Sequence, residues 1–460
     1  MKHQNLKMNL RNKNQQILLF LTVKKLNLKK MNKLLLTLVF IQLLVAIEAY
    51  TQSNEDSLLK IEIALSEGDY NRALTLLKDN QQNNSLRYNH LKGIIYENIG
   101  RYDSASLAYK RAIDLDSTYI PAHKGYARSL YSFGNIKVAK KQYEKILRLD
   151  SLCINTRLQY ANVLKKEGDY NKAFFNYCWL TNYDSTNFYY WEQVADCAVQ
   201  LNNFLDAMNA YDNAIVLNRQ NLDIVVKYIK LLIQLQVPTE EILAEADSAL
   251  SVDSLYIPLL KLKGKLFADQ KKYRQSYDIF NRVYEMGDSS FFTLKYLGIS
   301  KYSTGLYYQS IPDFEKAFER DSSDSFMNFV YSSSLFQIGD RKQALKIADY
   351  TERMLTPDSS LVAVIYDLKG DINFENRDYA LAIECYEKAQ NYSKDEHEFI
   401  FKIGKSYFFA KDYNTSTNYL KDYLGKVDDG SEKSKSRSSI WLAKHYLDKI
   451  KEEIFFRDTL

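Results

Sequence analysis

In Gly100-Arg-Tyr-Asp-Ser-Ala105 a glycine precedes an alanine by five residues, and this layout returns in Gly134-Asn-Ile-Lys-Val-Ala139 and Gly168-Asp-Tyr-Asn-Lys-Ala173. The interval between successive copies is 34 residues, and Ala207 continues the series. A period of this length is typical of helix pairs that stack into an array. Small residues at fixed places let helix backbones approach, and large residues between them fill the remaining space. The chain is therefore predicted to be a series of stacked helix pairs.

The second half of the chain keeps the same frame. Gly264 and Gly298 are again 34 residues apart, as are Gly370 and Gly404. The unit from Asn221 to Ser254 contains no glycine at its turn. A local irregularity is expected there.

Over residues 55–425 the chain resembles the tetratricopeptide repeat family, with about eleven units on that family's period. The resemblance implies an all-α fold, a right-handed α-solenoid of helix-turn-helix repeats. One departure is that Asp-Ser stands where the family usually has a proline at the end of the second helix. Aspartate and serine can accept hydrogen bonds from a helix start, so these pairs are interpreted as caps of the following helix. They are Asp116-Ser117, Asp150-Ser151, Asp184-Ser185, Asp253-Ser254 and Asp321-Ser322.

Two segments follow the predicted array. Residues 426–439 are polar, charged and poor in apolar side chains, which predicts a flexible loop. Residues 440–460 are expected to form a helix that caps the last repeat.

The start of the chain has the layout of an export signal. Residues 31–49 combine a basic start with the apolar run Leu34 to Ile47 and end on Ala49, which predicts a signal peptide. The run is shorter than the roughly 20 apolar residues of a membrane-spanning helix. An uncleaved signal anchor remains the alternative, and it is the only contact with a membrane that the sequence suggests. Residues 1–30 are interpreted as a non-functional upstream extension.

The net charge of +5 comes from the first residues. Residues 1–33 contain nine basic and no acidic side chains, whereas residues 50–460 carry 53 basic and 56 acidic ones. A nucleic-acid-binding footprint is therefore not expected. Abundant Lys, Asn, Ile and Tyr are typical of an AT-rich genome and, with the signal, predict an exported protein of a Gram-negative, Bacteroidetes-like bacterium. The expected location is the periplasm or the cell envelope.

No catalytic, cofactor-binding or metal-binding motif stands out. The five histidines are scattered, without the spacing that places two metal ligands on one helix face. Gly404-Lys405-Ser406 resembles the end of a phosphate-binding loop, but Phe399 occupies the place of the required glycine. Cys178 and Cys197 could meet as a disulfide or remain buried thiols. The chain is predicted not to be an enzyme.

The remaining candidate site is the concave groove that the family resemblance implies, lined by the fifth, ninth and twelfth residues of each repeat. Basic and acidic positions alternate along it, and aromatic residues lie among them. The candidate groove residues are Lys124, Arg128, Tyr131, Glu192, Asp196, Lys261, Lys265, Tyr302, Asp367, Asp371, Phe374 and Phe408.

The leading hypothesis is an exported scaffold that binds a peptide or protein of the cell envelope in this groove. The alternative is a surface protein that binds glycan or peptidoglycan through the groove aromatics.

Overall fold

The computed structural model describes residues 33–80, 84–356, 360–393, 396–427 and 436–459. In this part of the chain there are 23 α-helices and no strand. The first 22 form eleven consecutive pairs, each of a helix A and a helix B, which confirms the predicted all-α fold of about eleven repeats. The pairs are α1 (Lys33–Ser66) with α2 (Tyr70–Asp79), α3 (Leu86–Asn98) with α4 (Tyr102–Leu115), α5 (Ile120–Ser132) with α6 (Ile136–Leu149), α7 (Ile154–Lys166) with α8 (Tyr170–Tyr183), α9 (Phe188–Gln200) with α10 (Phe204–Leu217), α11 (Leu222–Gln234) with α12 (Thr239–Leu250), α13 (Ile257–Asp269) with α14 (Tyr273–Glu285), α15 (Phe291–Ser303) with α16 (Tyr307–Arg320), α17 (Ser325–Gln337) with α18 (Arg341–Met354), α19 (Leu361–Glu375) with α20 (Tyr379–Tyr392), and α21 (Glu398–Phe409) with α22 (Tyr413–Val427).

Helix α23 (Ser436–Thr459) follows the eleventh pair. By its internal packing the chain divides into two compact units between Leu217 and Asn218.

Each pair turns from helix A to helix B through one residue in the left-handed backbone region. Six pairs place a glycine there, because glycine adopts a positive φ without steric cost. The other five pairs use a different residue there. In the unit from Asn221 to Ser254 this residue is Gln236, with φ of 55°, so its turn keeps the common geometry. The turn residues are Gly68, Gly100, Gly134, Gly168, Gly305, Gly339, Asn202, Gln236, Lys271, Arg377 and Lys411.

The small residues of helix A receive large side chains from helix B. The Tyr109 ring is fully buried and lies against Gly93 of its own pair and Gly125 of the next. A Cβ on Gly93 would stand 2.5 Å from this ring, closer than real Cβ atoms come to other atoms. Phe280 on Gly264 and Phe314 on Gly298 repeat the arrangement, with the nearest ring atom 2.7 Å from an added Cβ in both cases. The core is thus a row of such contacts rather than one central cluster.

The aspartates of the Asp-Ser pairs do not cap the following helix, which corrects the sequence interpretation. Asp116 ends α4, and its carboxylate accepts a hydrogen bond from the Thr118 N–H at 2.9 Å. The next helix begins at Ile120, so its unpaired N–H groups lie beyond the reach of this short side chain. Asp-Ser therefore forms a turn in which the aspartate carboxylate accepts a hydrogen bond from the backbone N–H two residues later. The equivalent contacts are Asp150 to Leu152, Asp184 to Thr186, Asp253 to Leu255 and Asp321 to Ser323.

The predicted loop at residues 426–439 is shorter than expected. Residues 426–427 belong to α22 and residues 436–439 to α23, while residues 428–435 lie outside the described part. Helix α23 extends back past Ile440 because Ser439 is buried and donates a hydrogen bond to Glu398 Oε1 at 2.6 Å. Helix α23 packs against α21 and α22.

The predicted signal peptide falls mostly in the first half of α1. Residues 33–49 are helical and continuous with the first repeat, whereas residues 1–32 lie outside the described residues, including the proposed upstream extension. The apolar side chains Leu38, Phe40 and Val45 are more than half exposed. Among the α1 residues whose side chains the structure describes, Leu58 is the first that is buried in the core.

Candidate functional site

The A helices form one surface of each unit, called here the A face, and it carries the charged positions of the predicted groove. Among the ion pairs that join successive A helices, three have their two residues 31 positions apart. Arg128 Nε lies 2.8 Å from Glu97 Oε1, and a second guanidinium nitrogen lies 3.1 Å from Glu97 Oε2. The other two pairs are Lys165 with Asp196 at 2.7 Å and Lys402 with Asp371 at 2.9 Å.

A tyrosine of helix B binds the carboxylate of each of these pairs. The hydroxyls of Tyr109, Tyr211 and Tyr386 donate to Glu97, Asp196 and Asp371 at 2.7, 2.8 and 2.8 Å. Burial is the main cause that raises the pKa of all three tyrosines, so they remain neutral donors. We call each arrangement a tyrosine–acid–base unit. In each unit the carboxylate is held by a tyrosine of helix B in its own repeat and by a basic side chain of a neighbouring repeat.

In α5 the three candidates have different surroundings. Arg128 is engaged by Glu97, as described above. The ammonium group of Lys166 lies over the Tyr131 ring, 5.3 Å from the ring centroid. Lys124 is half-buried beside Cys153. Although burial opposes ionisation of this thiol, hydrogen bonds from Thr156 and Lys124 lower the pKa of Cys153.

In α9, Glu192 and Asp196 lie one turn apart and both are half-buried. The Lys165 ammonium reaches Asp196 Oδ2 and Gln193 Oε1, each at 2.7 Å. The predicted acidic patch is therefore partly neutralised by a lysine of the preceding repeat.

In α13, Lys261 and Lys265 bind different carboxylates. Lys261 Nζ lies 2.8 Å from both Asp288 Oδ2 and Ser290 Oγ. Burial would raise the pKa of Asp288, but these contacts overcome it and hold that pKa at about 2. Lys265 pairs with Asp269 of its own helix at 2.5 Å. Both predicted basic positions are thus already matched by acids.

The two acidic candidates of α19 share one lysine. Lys402 Nζ lies 2.5 Å from Asp367 Oδ1 and 2.9 Å from Asp371 Oδ1. Burial raises the pKa of Asp367 to about 6, and the neighbouring Asp371 charge adds to this effect against the attraction of Lys402. One ammonium group therefore serves both carboxylates of α19.

The aromatic candidates pack against other rings of the protein. Tyr302 lies 5.3 Å from Tyr307, and Phe374 lies 5.3 Å from Phe409, measured between ring centroids. Phe408 contacts Tyr446 of α23 at 4.8 Å and joins the last core cluster. All three candidates are half-buried.

Sequence reasoning placed the charged candidates on helix A but missed the units that hold them. The available signal was the recurrence of opposite charges 31 residues apart, in Glu97 with Arg128, Lys165 with Asp196, and Asp371 with Lys402. The tyrosine partners gave no comparable signal, since tyrosine is abundant along the whole chain.

Other chemistry in the described residues is limited. No group of three or more potential metal-binding side chains comes together within the described ranges. None of the described helices is both long and apolar enough to cross a membrane. Cys178 and Cys197 are free thiols, and burial raises their pKa values to about 11 and about 12. They are therefore protonated at neutral pH.

Comparison with known proteins agrees with the helix-pair geometry. A family model described as tetratricopeptide repeat matches residues 86–119 and 363–396, which correspond to two helix pairs. A 74-residue stretch is 36% identical to a tetratricopeptide repeat and J domain-containing co-chaperone, DNJ1, of Cryptococcus neoformans var. grubii. This stretch covers 16% of the present chain and only 14% of that protein's length.

Solved structures of repeat proteins are also similar in part. YrrB, described as a TPR protein with an unusual peptide-binding site, is 20% identical over 42% of this chain and 97% of its own, with a TM-score of 0.38. The C-terminal part of a TPR repeat-containing protein from Cytophaga hutchinsonii is 15% identical over 53% of this chain and 98% of its own, with a TM-score of 0.42. The structure of Naa15/Naa10 bound to HypK-THB contains a chain that is 12% identical to this one. The similarity covers 85% of this chain and 65% of the matched chain, with a TM-score of 0.41.

Stacked helix pairs with a common turn and a common packing contact define a helical repeat protein. The two matched repeats and the eleven helix pairs together support a tetratricopeptide repeat protein. Repeat arrays of this kind serve generally as protein-interaction scaffolds.

Proposed function

We propose that the chain is an exported, non-enzymatic scaffold whose A face holds a peptide or protein of the cell envelope. The observation that carries this proposal is the series of tyrosine–acid–base units. They hold half-buried charged groups in fixed positions before any partner arrives. A surface prepared in this way loses little conformational entropy on binding, which favours affinity.

The charge pairs also indicate how the partner is recognised. Arg128, Lys165 and Lys402 each have an acidic partner, so these pairs create no extended field of one sign. We therefore infer recognition by hydrogen bonds and shape at short range rather than by long-range electrostatic steering. Association is then expected to depend only weakly on salt concentration.

Export is the second part of the proposal, with the cell envelope or periplasm as the destination. The exposed apolar start of α1 supports it, because Leu38, Phe40 and Val45 are more than half exposed, and Leu58 is the first described side chain of this helix that packs in the core. Cleavage near Ala49 would leave the packing of the first pair unchanged. An uncleaved signal anchor is the alternative.

We expect the exported protein to begin close to Tyr50. The change Phe40→Lys should prevent export, because a charge in the apolar run opposes its insertion. N-terminal sequencing and cell fractionation measure both results. Lys60→Ala, an exposed change on the repeat part of the same helix, is the control. A cytoplasmic parent protein that retains residues 34–49 would contradict export.

The A face is tested by placing a photo-crosslinking amino acid at Tyr131. The matched control is Phe175 on helix B of a neighbouring pair, which is 66% exposed. Envelope proteins should crosslink at Tyr131 and not at Phe175. Equal labelling at both positions, or labelling at Phe175 alone, would rule out the A face as the binding surface. Crosslinking to a purified cell-wall glycan instead would support the glycan-binding alternative.

A further inference from the structure

Helix α6 is strongly basic. It contains five basic residues and one acidic residue, Glu144. Four of the basic residues follow one another at steps of four, four and three positions, so they lie on one line of the helix. We call this line the basic line. It consists of Lys137, Lys141, Lys145 and Arg148.

The basic line lies opposite the side of α6 that packs in the core. Ala139, Tyr143 and Ile146 are buried, and each is two residues away from a member of the basic line. Two residues correspond to roughly 200° around an α-helix, so the line points away from the core. Its members are exposed, except Lys145, which is half-buried.

The acidic residues around α6 are bound to other groups. Glu144 accepts a hydrogen bond from the Tyr160 hydroxyl at 2.8 Å, and Glu167 pairs with Lys140 at 2.6 Å. Asp150 accepts a hydrogen bond from the backbone N–H two residues later at 3.1 Å. Within the described residues, no member of the basic line takes part in an ion pair. Like charges one turn apart repel each other, and an anionic partner that covers the line would relieve this repulsion.

Exposed leucines border the basic line. Leu107 of α4 occupies the repeat place of Lys141 in the preceding pair and is 54% exposed. Leu149 and Leu152 follow Arg148 and are 44% and 67% exposed. Cations beside exposed apolar side chains fit an anionic membrane, where the cations meet headgroups and the apolar side chains enter the acyl boundary. An acidic polysaccharide or a nucleic acid backbone would neutralise the cations but leave the leucines in water.

The excess of positive charge is confined to α6. On α4, two exposed basic residues are balanced in number by two exposed acidic ones, Asp103 and Asp114. On α8, the basic residue Lys172 lies 3.4 Å from Asp169. The contact with an anionic surface is therefore centred on α6.

We propose that the basic line and its bordering leucines bind the surface of an anionic lipid membrane. The four cations lie among the lipid headgroups, and the leucines reach the boundary between headgroups and acyl chains. This surface belongs to helix B of the third pair and not to the A face. The protein can therefore hold a partner on the A face while it lies on a membrane, and a failure of this proposal leaves the A face untouched.

The proposal is tested by sedimenting the full chain with lipid vesicles. One set contains phosphatidylcholine alone, and the other contains phosphatidylcholine and phosphatidylglycerol in equal amounts. The apolar start of α1 contributes to both, so the measured quantity is the preference for the anionic vesicles. We expect a preference that falls as the salt concentration rises.

Lys141→Glu should reduce binding to the anionic vesicles on the order of tenfold. The melting temperature should not fall, because the new carboxylate lies one turn from Lys137 and one turn from Lys145. This combination separates loss of binding from loss of structure.

Lys346→Glu is the matched control. Lys346 is exposed and occupies on α18 the repeat place that Lys141 occupies on α6, but Pro312 and Glu384 hold that place in the neighbouring pairs. This change should leave vesicle binding unchanged. A parent protein that binds neutral and anionic vesicles alike, or an equal loss in both variants, would overturn the proposal.

Leu107→Ser distinguishes a membrane from a soluble polyanion. It should weaken binding to the anionic vesicles severalfold, whereas binding to dextran sulfate, which has no apolar part, should not change. If vesicle binding is also unchanged, the basic line binds polyanions by charge alone and the lipid proposal fails.

Discussion

Gly370→Ala is expected to destabilise the second unit by about 1–3 kcal/mol or more. An added Cβ would collide with the Tyr386 ring, which is buried and held by its hydrogen bond to Asp371. The ring cannot withdraw without breaking that bond, so the two helices must separate. Denaturant unfolding followed by circular dichroism measures the loss.

The matched control is Gly425→Ala in α22. An added Cβ at Gly425 meets no atom within 4 Å. Alanine is favoured over glycine in a helix by roughly 0.5–1 kcal/mol, so this change should be neutral or stabilising. If Gly425→Ala destabilised the protein as much as Gly370→Ala, the packing contact with Tyr386 would not be the cause.

Lys402→Met is the second change expected to have a large effect. It removes the cation shared by Asp367 and Asp371 while keeping a side chain of similar length. Loss of one partner of a buried ion pair costs about 3–5 kcal/mol. Since the two carboxylate side chains are 32% and 37% exposed, solvent screening reduces the expected loss to about 2 kcal/mol at pH 7.

The sign of the pH dependence follows from Asp367. Its pKa is raised by burial to about 6 in the folded protein, from an ordinary value of 3.8. The folded state thus binds the proton more tightly than the unfolded state, and this residue stabilises the fold increasingly as the pH falls from about 7 towards 4. Without the attraction of Lys402 its pKa should rise further. The difference in unfolding free energy between Lys402→Met and the parent should therefore shrink between pH 7 and pH 5.

Lys426→Met provides the comparison on an exposed ion pair. Lys426 and Asp422 lie on one helix 2.8 Å apart, with side chains 45% and 49% exposed. Pairs of this kind contribute about 0.3–0.5 kcal/mol. A loss for Lys402→Met no greater than that for Lys426→Met, or one that does not change with pH, would show that the cluster is solvated.

The fold was predictable in detail because its information is periodic. The intervals from Ala105 to Ala139 and from Gly370 to Gly404 set the phase of the small residues, and stacking requires that phase in every repeat. The unit around Gln236 departs from this regular pattern. A local irregularity was predicted for this unit. Its turn at Gln236 keeps the left-handed conformation seen in the other pairs, but its two helices contact each other less extensively than those of any other pair.

The candidate surface was predictable only as a set of positions. The family resemblance identified Arg128, Asp196 and Asp371 as residues of one face of helix A. It could not assign their partners, because each ion pair joins helices of different repeats and depends on how far one helix is displaced along the next. The ring contacts of Phe408 with Tyr446 and of Phe374 with Phe409 were also not predicted, because the two rings of each contact lie on different helices.

The sequence by itself determined the number of repeats, the turn positions and the contact between a small residue and a large one in each pair. These are local or strictly periodic features, governed by backbone sterics and by the close approach of neighbouring helices. Only the tertiary structure decided that Lys402 serves two aspartates, that Tyr386 supports one of them, and that Lys141 has no acidic partner among the described residues. Such arrangements depend on the relative placement and exposure of side chains from separate helices, which no spacing along a single chain encodes.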